Sequence, residues 1–229
     1  MKKLRLGEFE RNSLVVFAIT MIANVLSYLY QIVMGNVLTP ADYGTVNTLL
    51  SLSVVVGVPS GIISALTATY TAKYHAHGET FAIAAFMHGM LRVAAVLAAI
   101  VFVVGALLSR PIAHVLQIDD PHYVTVVMVL VASNCLGPVF SSTLQGVKRF
   151  IPYSMNSVLS FAFRLLLGVI FVWLGWGIPG ALAALILAAC LTMLYCLFKS
   201  RDLFFAPVKE KLALDRTEIR RYFVSTFWF

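Results

Sequence analysis

The segment FAIAAFMHGMLRVAAVLAAIVFVVGALL, residues 81–108, decides the fold class of this protein. It contains one charged side chain, Arg92, in a run long enough to cross a hydrocarbon layer of about 30 Å as an α-helix. Similar runs recur along the chain, which has 60% hydrophobic residues, 12% charged residues and a mean hydropathy of +0.90. Soluble domains carry about 25% charged residues. A water-soluble fold is therefore excluded, and so is a membrane barrel, whose strands alternate in polarity over about 10 residues.

Apolar runs bounded by charge, proline or glycine clusters predict six membrane-spanning helices, which form one lobe over residues 1–198. A basic cytoplasmic linker follows at 199–221. Residues 222–229 have the composition of a seventh span that is just beginning, so we expect a fragment of a longer, transporter-sized protein. The predicted class is thus an all-α integral membrane protein. The six spans lie at about 13–36, 45–72, 81–108, 122–145, 152–174 and 178–198.

The basic residues orient these spans, because Lys and Arg near span ends stay on the cytoplasmic side. An internal N-terminus places 14 of the 17 basic residues in cytoplasmic segments and only Arg110 in an external one. We therefore predict a multi-pass protein of the cell membrane (inner or plasma membrane) with a cytoplasmic N-terminus. The net charge of +7 follows mostly from this topology, and nucleic acid is not expected as a partner. The 14 residues are Lys2, Lys3, Arg5, Arg11, Lys73, Lys148, Arg149, Lys199, Arg201, Lys209, Lys211, Arg216, Arg220 and Arg221.

Polar side chains inside the spans are the candidates for a functional site, because each costs free energy in lipid and tends to face protein or water. The first, third, fourth and fifth spans carry such residues at helical spacing. A single stripe is typical of a hydrogen bond between packed helices. Four stripes together favour a shared hydrated interior. The candidates for a substrate cavity are Asn24, Gln31, Arg92, Asn134, Asn156, Ser160 and Arg164.

Arg92 and Arg164 are the two basic residues within spans, and all ten acidic residues lie in the tail, the loops or the cytoplasmic segment. Each arginine lies at a depth of ~17 Å at 1.5 Å per residue. An arginine at such a depth costs roughly 2.5–3.5 kcal/mol. Five explanations stay open: hydration, bonds to backbone carbonyls, acids from a missing half of the protein, an anionic substrate, and snorkelling towards the interface. Snorkelling fits Arg92 better than Arg164, because the third span could begin later.

The second and sixth spans carry ridges of small residues, which let helix backbones approach closely. We predict packing seams there rather than binding surfaces. Pro59 and Pro138 interrupt the second and fourth spans near their middles and are the candidate hinges. The ridges consist of Ser53, Gly57, Ser60, Ser64, Thr67 and Thr71 and of Gly177, Ala181, Ala184 and Ala188.

Between the first two spans, the segment GNVLTPADYG at 35–44 predicts a short external turn. Pro40 stops the first helix, and Thr39 or Asp42 caps the second.

An intramembrane enzyme would need a set of reactive side chains in the spans. The spans contain no His-Glu-x-x-His motif, no acid pair and no Ser-His-Asp set. We therefore predict no catalytic residue, no metal site and no cofactor. The chain also lacks a Gly-x-x-x-x-Gly-Lys loop for ATP, so energy would come from gradients or from downstream polymerisation.

Four stretches resemble the polysaccharide transporter family, which includes the O-antigen (lipid-linked oligosaccharide) flippases. The family shares a superfamily with multidrug and toxin extruders and lipid II flippases. The resemblance runs from about residue 10 to 229 and implies two six-helix lobes around a central cavity. This chain would be the first lobe of such a flippase plus the start of the second. The four stretches are GNVLTPADYG at 35–44, LQGVKRF at 144–150, RLLLG at 164–168 and LGWGIPGAL at 174–182.

The resemblance implies a transporter that flips or exports lipid-linked oligosaccharide or polysaccharide by alternating access. The implied partners are a polyprenyl-pyrophosphate-linked glycan, membrane lipid, and a glycan polymerase or glycosyltransferases. Intramembrane arginines suit the pyrophosphate, because guanidinium groups form charge-assisted bonds with phosphate oxygens. The alternatives are another transporter of the superfamily (a multidrug extruder, or a flippase of lipid II or spore-envelope precursors), an intramembrane enzyme and a non-transporting membrane module. Cation-coupled drug extruders resemble one another in carrying intramembrane carboxylates, and the lack of these disfavours that class.

Overall fold

The computed structural model describes residues 2–118 and 120–204, with side chains from residue 13 onward. Every regular element in these ranges is an α-helix. Asp119, most of the predicted linker and the predicted start of a seventh span lie outside the described residues. The helices are α1 (Lys2–Val37), α2 (Pro40–Val56), α3 (Val58–Ala76), α4 (Thr80–Leu107), α5 (Ser109–Leu116), α6 (Pro121–Gly146), α7 (Phe150–Trp173) and α8 (Gly177–Phe204).

Five of the described helices are long and apolar enough to cross a membrane: α1 from Ser13 onward, α4, α6, α7 and α8. The pair α2 and α3 meets the same criterion together and is bent by 49° at the break between the helices. Counting this pair as one span gives six. The predicted class, an all-α integral membrane protein, is confirmed.

The bend in the second span lies at Gly57, which joins α2 to α3. Its N–H donates to the Ser53 carbonyl oxygen at 2.9 Å, so the chain turns from one helix into the next without a loop. Pro59 occupies the first turn of α3, where a missing N–H costs no helical hydrogen bond. The bend predicted around Pro59 is therefore present, with its centre at Gly57. Pro138, in contrast, lies inside α6, which is helical from Pro121 to Gly146.

Of the two residues predicted to cap the second helix, the structure uses Thr39. Helix α1 ends at Val37, and Pro40 is the first residue of α2. The Thr39 hydroxyl oxygen accepts a hydrogen bond from the Asp42 N–H at 3.2 Å. Thr39 is therefore the N-cap, and Asp42 lies in the first turn, where a negative charge is favoured by the helix dipole.

Helix α5, in the connection between α4 and α6, was not predicted. It is 8 residues long, and its C-cap residue Gln117 has a left-handed backbone with φ of 53°. Such a short segment shows too few turns for its periodicity to be recognised among the polar residues of a loop.

Helix α6 is central and contributes more buried side chains than any other described helix. It packs against α3, α4 and α8, whereas α7 lies between α1 and α8. The small-residue ridge of α8 is buried at Ala181, Ala184 and Ala188, as expected for a packing seam. Gly146 brings α6 so close to α3 that a Cβ there would lie 2.8 Å from the Ala68 carbonyl oxygen.

An ion pair between Arg149 and Asp202 joins the start of α7 to the end of α8. One guanidinium nitrogen of Arg149 also donates to the Lys199 carbonyl oxygen at 3.0 Å. The hydrogen bond to Asp202 raises the pKa of Arg149, because it favours the charged form. The turn between α6 and α7 therefore lies at the same end of the lobe as the end of α8.

Candidate functional site

A cavity of about 590 Å³, here called the large cavity, lies among α2, α3, α6, α7 and α8. Four of the seven predicted candidates line it: Asn134 from α6, and Asn156, Ser160 and Arg164 from α7. The three residues of α7 are successive helical turns apart, so they form a polar edge about 12 Å long. Small and hydroxyl-bearing residues provide most of the remaining polar wall. These are Ser53, Gly57, Ser60, Ser133, Gly137, Pro138, Ser141 and Thr192.

A second cavity of about 210 Å³, here called the small cavity, lies between α1, α2 and α7. Arg164 lines both cavities and therefore lies at the boundary between them. The polar wall of the small cavity also includes Ser27, Tyr30, Gln31, Tyr43 and Asn47.

Arg164 is the one charged residue in the described walls of the two cavities. Its guanidinium carbon lies 5.5 Å from the centroid of the Phe161 ring, within the range of a cation–π interaction. Its Nε atom is buried and has no hydrogen-bond partner among the described residues. A cation with an unused donor at the boundary of two polar cavities is chemically suited to bind an anion.

Asn156 is positioned by a neighbouring helix. The thiol of Cys196 on α8 donates to the Asn156 side-chain oxygen, with a sulfur–oxygen distance of 3.2 Å. This contact fixes the Asn156 side chain beside α8, one helical turn before Ser160.

Three predicted candidates do not lie in the large cavity. Gln31 lines the small cavity instead. Asn24 is exposed on α1 and lines neither cavity. Arg92 is exposed on α4, whose buried face includes Met90 and Ala94 two residues to either side. Because two residues correspond to about 200° around a helix, Arg92 points away from the packed core.

The structure divides the predicted polar stripe of α1, because Gln31 lines the small cavity while Asn24 is exposed. The face that packs against the lobe contains Ala23, Tyr30 and Met34, all buried, together with Ser27 in the small cavity. Asn24 follows Ala23 by one residue, or about 100° around the helix, and therefore lies beside this face.

The small-residue ridge of the second span has two roles, where the sequence predicted packing alone. Ser53, Gly57 and Ser60 line the large cavity. Beyond them the ridge is a packing seam, in which the Ser64 and Ser142 hydroxyl oxygens are hydrogen-bonded at 2.6 Å. Thr67, one turn further, is fully buried. In the sequence, the glycine at position 57 close to Pro59 was the available signal that the second span bends. Such a bend allows one part of the ridge to line a cavity and another part to pack against a helix.

Residues 9–229 match the protein family described as "Polysaccharide biosynthesis protein". The chain belongs to this family. The match agrees with the resemblance carried by the four sequence motifs, so that assignment is confirmed. No curated protein matches the chain significantly.

Solved transporters share the fold of this polysaccharide biosynthesis protein. A MATE in complex with Br-NRF aligns with a TM-score of 0.74 and 15% identity, over 93% of this chain and 50% of that one. A MOP superfamily transporter from Pyrococcus furiosus, described as having a binding pocket of reverse polarity that suggests a different function, aligns with a TM-score of 0.70 and 16% identity, over 92% and 50%. An outward-facing multidrug resistance MATE family transporter of the MOP superfamily gives 0.69 and 17%, over 92% and 50%.

The chain thus spans about half the length of these solved structures. Over that half, its helical architecture is similar to theirs. The apolar helices make this family member a multi-pass membrane protein.

Proposed function

We propose that this protein is the lobe of a transporter that flips or exports lipid-linked oligosaccharide or polysaccharide across the cell membrane. The observation that carries the proposal is the large cavity, whose described wall is polar and has Arg164 as its one charge. Uncharged hydroxyl and amide groups suit the hydroxyls of a glycan. A guanidinium group suits the phosphate that links a glycan to its polyprenyl carrier. An extruder of cationic drugs would gain nothing from a positive charge at this position.

The transport cycle proposed here is alternating access. The glycan headgroup enters from the cytoplasm, follows the polar edge of α7 from Asn156 to Arg164, and is released outside while the lipid tail stays in the bilayer. Pro59 and Pro138 are the proposed hinges. Because Pro138 has no N–H, the Asn134 carbonyl oxygen lacks its usual helical donor. This backbone oxygen lies where α6 lines the large cavity and could accept a hydrogen bond from the substrate. A glycan polymerase or glycosyltransferases would act before or after this step.

Substitution of Arg164 in the full-length protein tests the proposal. Arg164→Ala should abolish glycan export without lowering the amount of protein in the membrane, because it removes the positive charge at the cavity boundary. Arg164→Lys should retain partial export, because the charge survives while the bidentate geometry of arginine is lost. Export is measured as surface glycan in cells that depend on the variant, and abundance by immunoblotting of membranes.

Arg92→Ala is the matched control. It removes the same side chain from another span, at an exposed position outside both cavities. Normal export by Arg92→Ala and loss by Arg164→Ala are expected. Normal export by Arg164→Ala at normal abundance would contradict an anionic substrate at this site.

A further inference from the structure

The small cavity contains a second buried polar atom without a hydrogen-bond partner among the described residues, the hydroxyl oxygen of Tyr30. Tyr30 is 8% exposed, and its hydroxyl has no hydrogen-bond partner among the described residues. Leaving such a group unsatisfied costs about 1–3 kcal/mol. Buried polar groups are normally paired, so the Tyr30 hydroxyl requires a physical reason, as does the Nε atom of Arg164 in the same wall.

The position of Tyr30 is set by the close approach of α1 to α7. A Cβ added at Gly168 would lie 3.4 Å from a Tyr30 ring carbon and 2.5 Å from the terminal methyl of Met34. Gly168 follows Arg164 by one helical turn, so both lie on the side of α7 that faces α1. The motif RLLLG therefore places a cation and a closely packed tyrosine beside the same cavity.

The two unpartnered groups restrict the ligand that could bind between them. The guanidinium Nε–H is a donor and the tyrosine hydroxyl can also donate, so a shared ligand must accept hydrogen bonds. The small cavity has one positive charge and no acid in its described wall, so an anion is favoured. A phosphate group has acceptor oxygens in several directions and can be bound from α1 and α7 together.

We propose that the small cavity is the phosphate subsite of this transporter, with the Tyr30 hydroxyl as the second donor beside Arg164, and that the large cavity holds the sugars. The proposal rests on the proposed function and deepens it by dividing the substrate between two cavities. Their volumes agree with this division, since about 210 Å³ is available for the phosphates and about 590 Å³ for the sugars.

Binding of farnesyl diphosphate to the full-length protein in nanodiscs tests the subsite. Tyr30→Phe removes the hydroxyl and keeps the ring that packs on Gly168. We expect about tenfold weaker binding, the effect of losing one hydrogen bond to a charged group. Thermal stability should not fall, because the hydroxyl has no protein partner to lose. Weaker binding at unchanged stability therefore separates a ligand contact from a structural role.

Tyr28→Phe is the matched control, because Tyr28 lies two residues away on α1, is 66% exposed and lines neither cavity. Its binding of farnesyl diphosphate should equal that of the unmodified protein. Binding of inorganic pyrophosphate is measured as a second arm of the experiment. If inorganic pyrophosphate binds more weakly than farnesyl diphosphate, the result supports a lipid-linked phosphate as the ligand. Equal binding of the two, with both lowered by Tyr30→Phe, supports the subsite and identifies its ligand as a free anion.

Two results would overturn the phosphate subsite alone: unchanged farnesyl diphosphate binding by Tyr30→Phe, or a loss of thermal stability that accounts for weaker binding. In either case the export test with Arg164→Ala still decides the proposed function.

Discussion

Arg164 and Arg92 show how surroundings decide the role of a charged residue in a span. Arg164 is packed between two cavities and contacts the Phe161 ring, whereas Arg92 is exposed on α4. An exposed arginine can extend along the helix and carry its charge towards the interface. Arg164 is half-buried between helices, at the boundary of the two cavities. The two residues look equivalent in the sequence and differ in which helix face they occupy.

A prediction at the same scale concerns Gly146. A Cβ at this position would lie 2.8 Å from the Ala68 carbonyl oxygen and 2.8 Å from the Thr71 Cβ atom. Gly146→Ala should therefore push α6 away from α3 and lower the free energy of unfolding by about 1–3 kcal/mol. Denaturant unfolding in detergent micelles, followed by circular dichroism, measures this change.

Gly61→Ala is the control for this substitution. Gly61 lies inside α3, and nothing would come within 4 Å of its added Cβ. Alanine is the better helix former, so this variant should be as stable as the unmodified protein or slightly more stable. An equal loss of stability in both variants would show that close packing at Gly146 is not the cause.

At the scale of elements, the broken span formed by α2 and α3 serves both the cavity and the core. Its 49° bend lies at Gly57, and residues on both sides of the bend, Ser53 and Ser60, line the large cavity. The second half packs on α6 beyond Ser60. The hydrogen bond between Ser64 and Ser142 belongs to the second half. In lipid, such bonds between helices contribute on average about 0.6 kcal/mol. The close contact at Gly146 is therefore the stronger determinant of this seam.

The ion pair between α7 and α8 gives a prediction at the same scale. Arg149 and Asp202 have side chains 41% and 50% exposed, so their pairing contributes at most about 1 kcal/mol. Asp202→Asn should lower stability by no more than this amount, and less at high salt. The exchange Arg149→Asp with Asp202→Arg should recover most of the loss, because it restores opposite charges across the same contact.

A double-mutant cycle on unfolding free energies measures this coupling. Glu79→Gln is its control, since it removes a carboxylate that forms no ion pair with any described residue. A coupling energy of zero between Arg149 and Asp202 would leave the two helix ends joined by packing alone.

At the scale of the whole molecule, contacts between distant residues hold several helix ends together. The His88 ring of α4 stacks on the Phe204 ring at the end of α8, with centroids 4.4 Å apart. Arg149 joins the start of α7 to the same end of α8. This end of the lobe carries the turn at Lys148, which the positive-inside rule assigns to the cytoplasm.

The topology leads to a prediction for reporter fusions. Fusions at Lys148 and within 199–221 should report the cytoplasm, and fusions near Asp42 and Asp119 should report the exterior. The reason is the basic-residue asymmetry, which favours a cytoplasmic N-terminus. Paired phosphatase and fluorescent-protein fusions measure both compartments. An external signal at Lys148 would contradict the orientation and the direction of transport proposed from it.

The sequence by itself determined the membrane class and limited the cap of the second helix to Thr39 or Asp42. These features depend on short stretches of chain, because lipid obliges each span to satisfy its own backbone hydrogen bonds. The motifs also led to the family. In the candidate site, Asn134, Asn156, Ser160 and Arg164, which were selected from the sequence as members of polar stripes, line one cavity.

Only the tertiary structure decided which other side chains join that site. Tyr30 faces the small cavity and Asn24 does not, although both lie at helical spacings on α1. The rotation of a helix about its axis is set by its contacts with other helices, and for α1 these contacts include Gly168 on α7, far away in the sequence. Periodicity defines the faces of a helix, but the choice among similar faces is made by packing between distant residues.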